Sequence, residues 1–247
     1  MRLLLINPNT TPAITQRMAE LARGLAGPDD AVAAVTGRFG ARYISDRIAY
    51  AIAGHAALDA YAAYAAQGAP HDVVALACFG DPGLLALRAL APVPAIGMAE
   101  ASMQEAATGG RRFGIVTGGR LWVPMLEEFA AGLGLAAQLA KVAAVERTGG
   151  AIAQDPDAAL AELAAACGEC VGHGAAVVIL GGAGLAGLAP RIRDRVQVPL
   201  IDSLEALIRG ARRLVGQAPP PAARVPADST GLSPELAALL KALPSGP

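Results

Sequence analysis

The chain has 247 residues, 54% of them hydrophobic, and a formal net charge of -1, which is material for one large or two small α/β domains. The balanced charge without a basic cluster argues against nucleic acid or an anionic membrane surface as partner, and 4% aromatic residues argue against base-stacking platforms. No apolar run reaches membrane-spanning length, residues 3–6 are too short for a signal sequence, and three cysteines form an odd set, so a cytoplasmic protein with free thiols is expected.

In chain order, residues 3–6 read as a buried strand that ends in Asn7-Pro8-Asn9-Thr10-Thr11-Pro12. These polar side chains can cap a helix over 13–25 and leave backbone N–H groups facing whatever lies above the sheet. A second strand follows at 31–36. The polar loop 37–47 then carries Arg38, Arg42, Tyr43, Ser45 and Arg47 into a long alanine-rich helix reaching about residue 67. The third strand, 73–77, ends at Cys78; a helix over 83–90 and a strand beginning at 93–97 come next. The pattern then restarts with a strand and glycine turn at 112–119, a helix at 123–132, a strand at 139–145, a helix at 157–171 and strands at 177–180 and 198–203. A helix over 204–215 is expected to return to the first half. From Gln217 the composition turns to proline and alanine, a surface wrap or flexible end with one short helix at 234–242.

Two pairs of segments repeat at nearly one offset. V-V-A-L-A-C-F-G at 73–80 matches V-V-I-L-G-G-A-G at 177–184, and V-P-A-I-G-M-A-E-A at 93–101 matches V-P-L-I-D-S-L-E-A at 198–206. Apolar, β-branched runs that stop at glycine are buried parallel strands, and two matches joining the same elements in the same order indicate an internal duplication. The expected fold is therefore α/β, with two similar parallel-sheet domains: 1–97 plus 206–247, and 98–205. Ligands bind at the carboxyl edges of such sheets, so the site is expected in a cleft between the domains, with Cys78 on one wall and Gly182 on the other.

The chain resembles the aspartate/glutamate/hydantoin racemase superfamily, in its hydantoin and allantoin racemase branch. The residues that carry the resemblance are I-N-P-N-T at 6–10, A-C-F-G-D-P-G-L at 77–84, V-T-G-G-R-L-W-V-P-M-L at 116–126 and L-G-G-A-G-L at 180–185. The resemblance implies a cofactor-free enzyme in which two cysteines flank the substrate, one removing a proton beside a carbonyl or carboxylate and the other returning it from the far side. It implies that Asn9 and backbone N–H groups near Cys78, Phe79, Gly80, Thr117-Gly118 and Gly182-Ala183 hold substrate oxygens, an oxyanion-hole arrangement. It also implies a homo-oligomer. One departure is plain: where the family has its second cysteine, this chain has Gly182. Cys78, its pKa lowered by turn N–H groups and a helix amino terminus, would be the remaining acid/base group.

Three readings follow. The first is a racemase-type isomerase acting on a small carboxylate or cyclic amide, with Cys167, Cys170, His173 or Asp202 supplying the second proton. The second is a single-cysteine lyase of the arylmalonate-decarboxylase type, which protonates a carbanion from one face. The third is a non-catalytic small-acid-binding paralogue. Cys167-x-x-Cys170-x-x-His173 lacks a fourth ligand and reads as buried thiols rather than a zinc site. Tyr43 and Ser45 are expected at the cleft mouth touching substrate, with Arg42 or Arg47 pairing a carboxylate. No metal or cofactor is called for.

Overall fold

The computed structural model describes residues 1–219 and 229–242; most of the proline- and alanine-rich stretch after Gln217 lies outside them. In the first half, β1 (Arg2–Asn7), β2 (Ala31–Thr36), β3 (Val73–Leu76) and β4 (Ala95–Gly97) form a parallel sheet in the order β2-β1-β3-β4. Helices α1 (Pro12–Leu25), α2 (Arg47–Ala65) and α3 (Leu84–Leu90) connect them, and α4 (Met98–Ala106) follows β4. The second half repeats the plan: β5 (Phe113–Gly118), β6 (Leu139–Val145), β7 (Val177–Leu180) and β8 (Leu200–Asp202) pair in parallel in the order β6-β5-β7-β8. Its helices are α5 (Trp122–Gly132), α6 (Gly149–Gln154), α7 (Leu160–Gly172), α8 (Ala189–Ile192) and α9 (Ser203–Leu214). The two halves are similar α/β domains with one strand order, as a duplication requires.

The apolar runs are continuous because both faces of each sheet are covered. Leu3, Leu5, Val73 and Ala75 point to one face and Leu4, Ile6, Val74 and Leu76 to the other. In the second sheet Phe113, Ile115, Val177 and Ile179 face inward, and Val116, Val178 and Leu180 outward. The inward faces share one core, and two helices cross over to build it: α9 packs on β3, β4 and α1, while α4 packs on β7, β8 and α9. Met98, Met103, Leu204, Leu207 and Ile208 are buried there, each contributing roughly 1.5–3 kcal/mol.

Each crossing helix is capped by a carboxylate, and the two halves supply it differently. In the second half Asp202, at the end of β8, accepts the Leu204 and Glu205 N–H groups of its own helix and, through its other oxygen, the Gly187 N–H of the loop after β7 at 2.6 Å. In the first half the matching cap position is Gly97. The carboxylate comes instead from Asp81 in the loop after β3, which accepts Ala99 N–H at 2.9 Å and Glu100 N–H at 2.7 Å. The same two positions of each helix are thus satisfied from opposite sides of the same gap.

Helix α2 begins at Arg47 because Asp46 accepts the Ile48 and Ala49 N–H groups. The short helix expected in the tail is α10 (Pro234–Ala242), which packs on α2 through buried Leu236. Its Glu235 joins the Arg38–Asp59 ion pair. Residues 220–228 and 243–247, read from the sequence as a wrap or flexible end, fall outside the described residues. Among the described residues no helix is long and apolar enough to cross a membrane.

Candidate active site

The central strands of both sheets, β1, β3, β5 and β7, deliver their carboxyl ends to one small cavity of ≈ 30 Å³, room for roughly two waters. Asn9, Tyr43, Cys78, Phe79, Thr117, Gly118, Gly182 and Ala183 all line it. Residues distant in sequence meet there because each follows a strand that ends at the same edge.

Asn9 is held by its neighbours. Its Oδ1 accepts Asn7 Nδ2 and Thr11 N–H, each at 2.9 Å. With the carbonyl engaged, the amide NH2 is the part of the side chain left to donate, as hydrogen-bond matching assigns it. Asn7, read from the sequence only as a possible capping side chain, is buried and fixed in turn on Thr15 Oγ1 at 2.9 Å. An Asn-Pro-Asn run is therefore a paired device: the first asparagine orients the second.

Cys78 is half-buried at the end of β3, and its carbonyl accepts the Asp81 N–H at 3.0 Å. Burial pushes its thiol well above the ordinary cysteine range, and the Asp81 carboxylate pushes in the same direction. This direction is opposite to the lowering expected from the sequence. Helix α3 is short and begins only at Leu84, and the desolvation of a closed cavity outweighs the dipoles of the turn. Asp81 shares the environment: buried, with backbone φ +55°, its carboxyl is pushed up to about 7 mainly by desolvation, against the opposing effect of its two backbone hydrogen bonds.

The facing wall is backbone. The Phe79 ring lies on Gly181, where a Cβ would come within 2.4 Å of it. A Cβ on Gly182 would meet only Leu185 Cδ1 at 3.4 Å, though the residue sits at φ +144° and ψ 144°, a region open to glycine. Deeper in, three glycines let backbones touch: a Cβ on Gly118 would lie 2.7 Å from Gly149 N, and one on Gly184 would lie 1.9 Å from Gly149 O.

Tyr43 reaches from the first half into this glycine cluster. Its hydroxyl oxygen accepts the Gly149 N–H at 2.8 Å, in the space a Gly149 side chain would take. Burial raises its pKa, the Gly149 hydrogen bond opposes that, and the proximity of Cys78 adds to the rise. Trp122 closes the cavity, donating Nε1–H to Ile44 O at 3.2 Å.

Other residues singled out in the sequence lie elsewhere. Gly80 sits under the Trp122 ring and gives its carbonyl to the Tyr50 hydroxyl at 2.8 Å; Ser45 is half-buried beside the cavity lining without joining it. Arg47 is engaged with Glu128 of α5 through two bonds of 2.7 and 2.5 Å, and Arg42 is exposed. None of the expected second proton carriers reaches the cavity. Cys167 and Cys170 are buried on the outer face of the second sheet, with burial raising their pKa values to about 12 and about 11. His173 is exposed at the end of α7, and Asp202 is committed to capping. Among the described residues no group of three or more His, Cys, Asp or Glu side chains is placed to hold a metal ion.

Two duplicated α/β halves that meet at a cavity on the carboxyl edges of both sheets define a two-domain α/β protein with its candidate site at that junction. The chain belongs to the Asp/Glu/hydantoin racemase family, whose model matches residues 3–211. It is 32% identical to a hydantoin racemase of Paenarthrobacter aurescens over 216 residues, 87% of this chain and 91% of the relative. The crystal structure of an allantoin racemase from Pseudomonas fluorescens is similar with TM-score 0.87 and 32% identity, over 94% of this chain and all of that one. A doubly substituted, liganded arylmalonate decarboxylase shares the fold at TM-score 0.63 and 19% identity, over 87% of this chain and 93% of that one. Kinship with the racemases supports a racemase-type isomerase.

Proposed function

We propose that the protein is a cofactor-independent isomerase that moves a proton at an acidic carbon beside a carbonyl or carboxylate, in a hydantoin, allantoin or amino acid, with Cys78 as the proton carrier on one wall. The observation that carries the reading is that Cys78 and Gly182, matched by the internal repeat, line one cavity. The Cys78 thiolate takes the proton from carbon, the electron pair moves onto the adjacent oxygen, and the Asn9 NH2 with backbone N–H groups around Thr117-Gly118 and Gly182-Ala183 hold that oxygen. Gly182 stands where the family resemblance puts a second cysteine.

The bare wall at Gly182 favours one alternative, a lyase in which loss of carbon dioxide makes the carbanion and a single thiol protonates it. Loss of optical rotation from hydantoins, allantoin and amino acids, read beside carbon dioxide release from arylmalonates, separates the two. Racemisation that Cys78→Ser abolishes is the expected result. Racemisation that survives Cys78→Ser overturns the role of the thiol, and carbon dioxide release alone establishes the lyase. Neither activity, with a small acid still raising Tm, leaves only binding. With this reading go a cytoplasmic location, a homo-oligomer, and the domain division at 97/98 and 205/206.

A further inference from the structure

The isomerase reading leaves one place vacant: a proton carrier on the wall opposite Cys78. We infer that the Tyr43 hydroxyl is that second carrier. The inference rests on the isomerase reading and assigns a residue to its missing half.

Three observations converge. First, the hydroxyl-, thiol- and amide-bearing side chains lining the cavity are Asn9, Tyr43, Cys78 and Thr117. An amide carries no exchangeable acid of useful strength and an aliphatic alcohol is far weaker than a phenol, so Tyr43 is the acid beside Cys78. Second, Tyr43 lines the cavity from the first half but anchors its oxygen on the second half, on Gly149 N at 2.8 Å, amid the abutting backbones of Gly118, Gly149 and Gly184. Gly149 without a side chain is what admits the hydroxyl there. Third, the phenol oxygen accepts in that bond, so its proton is not spent on Gly149, and the N–H that donates to the neutral phenol can equally hold a phenolate.

The reacting form is the minor one in which Cys78 has released its thiol proton to solvent, because burial raises that pKa; from it the step balances without any further reactant. The Cys78 thiolate removes the proton from carbon on its face, and the phenol O–H bond breaks as its proton forms the new C–H bond on the other face. The free enzyme is left as thiol and phenolate, the state that converts the opposite enantiomer by the reverse transfer. Gly182 adds no acid of its own.

The test follows a 5-substituted hydantoin in deuterium oxide, with spontaneous exchange subtracted. For the unaltered protein, deuterium is expected in the product enantiomer from the first turnovers while recovered substrate stays largely protiated, the signature of one carrier on each face. Tyr43→Phe keeps the ring and is expected to slow inversion at least tenfold, while Cys78 still washes deuterium into the enantiomer it faces. Inversion by Tyr43→Phe at the unaltered rate overturns the inference. So does an equal loss of inversion and exchange, which marks Tyr43 as a substrate anchor. The unaltered protein decides even if Tyr43→Phe does not fold: exchange without inversion overturns the inference and leaves the role of Cys78 standing. Neither exchange nor inversion overturns the isomerase reading and this inference with it.

Discussion

The carboxylate of Asp81 occupies the space that a side chain on Gly97 would take: a Cβ there would lie 2.1 Å from the Asp81 Cγ. The two residues share one job, because Gly97 holds the cap position of α4 and Asp81 supplies the capping oxygens. Gly97→Ala is therefore expected to push Asp81 off the helix and to destabilise the fold by about 2–4 kcal/mol, overpacking and cap loss together. A urea midpoint unchanged from that of the unaltered protein would show that the loop gives way freely.

The same carboxylate makes stability depend on pH. An acid whose pKa is raised on folding holds its proton more tightly in the folded state. The stabilisation is whole below the unfolded value of about 4 and is lost as pH rises through about 7. Within that window the Asp81 contribution falls by up to roughly 1.4 kcal/mol per pH unit. Asp81→Asn is expected to lower stability at acid pH and to remove this slope, so the difference between the two proteins narrows from pH 4.5 to 7.5 in parallel urea titrations. A difference that widens over that range contradicts the burial argument.

The three thiols should separate by reactivity. Cys78 opens on the cavity, whereas Cys167 and Cys170 are sealed behind the second sheet. Iodoacetamide on the folded protein is expected to label Cys78 alone, slowly at pH 7 and about tenfold faster for each pH unit up to at least 9, since its thiolate is scarce over that range. A labelling rate that levels off below pH 8 would mean that the cavity lowers the thiol pKa after all.

Neighbouring glycines should respond differently to a methyl group. Gly182→Ala meets little in space, so its cost is the backbone conformation, about 1–3 kcal/mol. Gly181→Ala must evict the Phe79 ring from the cavity wall and is expected to disturb the site as well as the fold. Near-ultraviolet circular dichroism and Tm distinguish them, with the signal of the aromatic wall changed in Gly181→Ala and kept in Gly182→Ala.

The strands and the doubling were legible because period, burial and turn chemistry agree: Val73–Leu76 and Val177–Leu180 are apolar on both faces and stop before glycine-bearing turns. That agreement also placed Cys78 and Gly182 at one edge. Helix α4 was not legible, since Met98, Ala99, Ala101, Ser102 and Met103 are buried around nearly its whole circumference and leave no amphipathic stripe. Its cap comes from a distant loop while glycine stands at the cap position itself. Asp202 looked like a free acid in the sequence because nothing local announces that Gly187 N–H will claim its second oxygen. The position of the Tyr43 hydroxyl was hidden for a related reason. Its partner is a backbone N–H in the other half, and a main-chain donor leaves no trace in residue identity.

Because α4 packs on β7 and β8, and α9 on β3 and β4, each sequence repeat supplies a helix that helps to shield the inner surface of the other. A polypeptide cut between them would leave each fragment with a strip of leucine, valine and isoleucine in water, and its best-fitting cover is the other fragment.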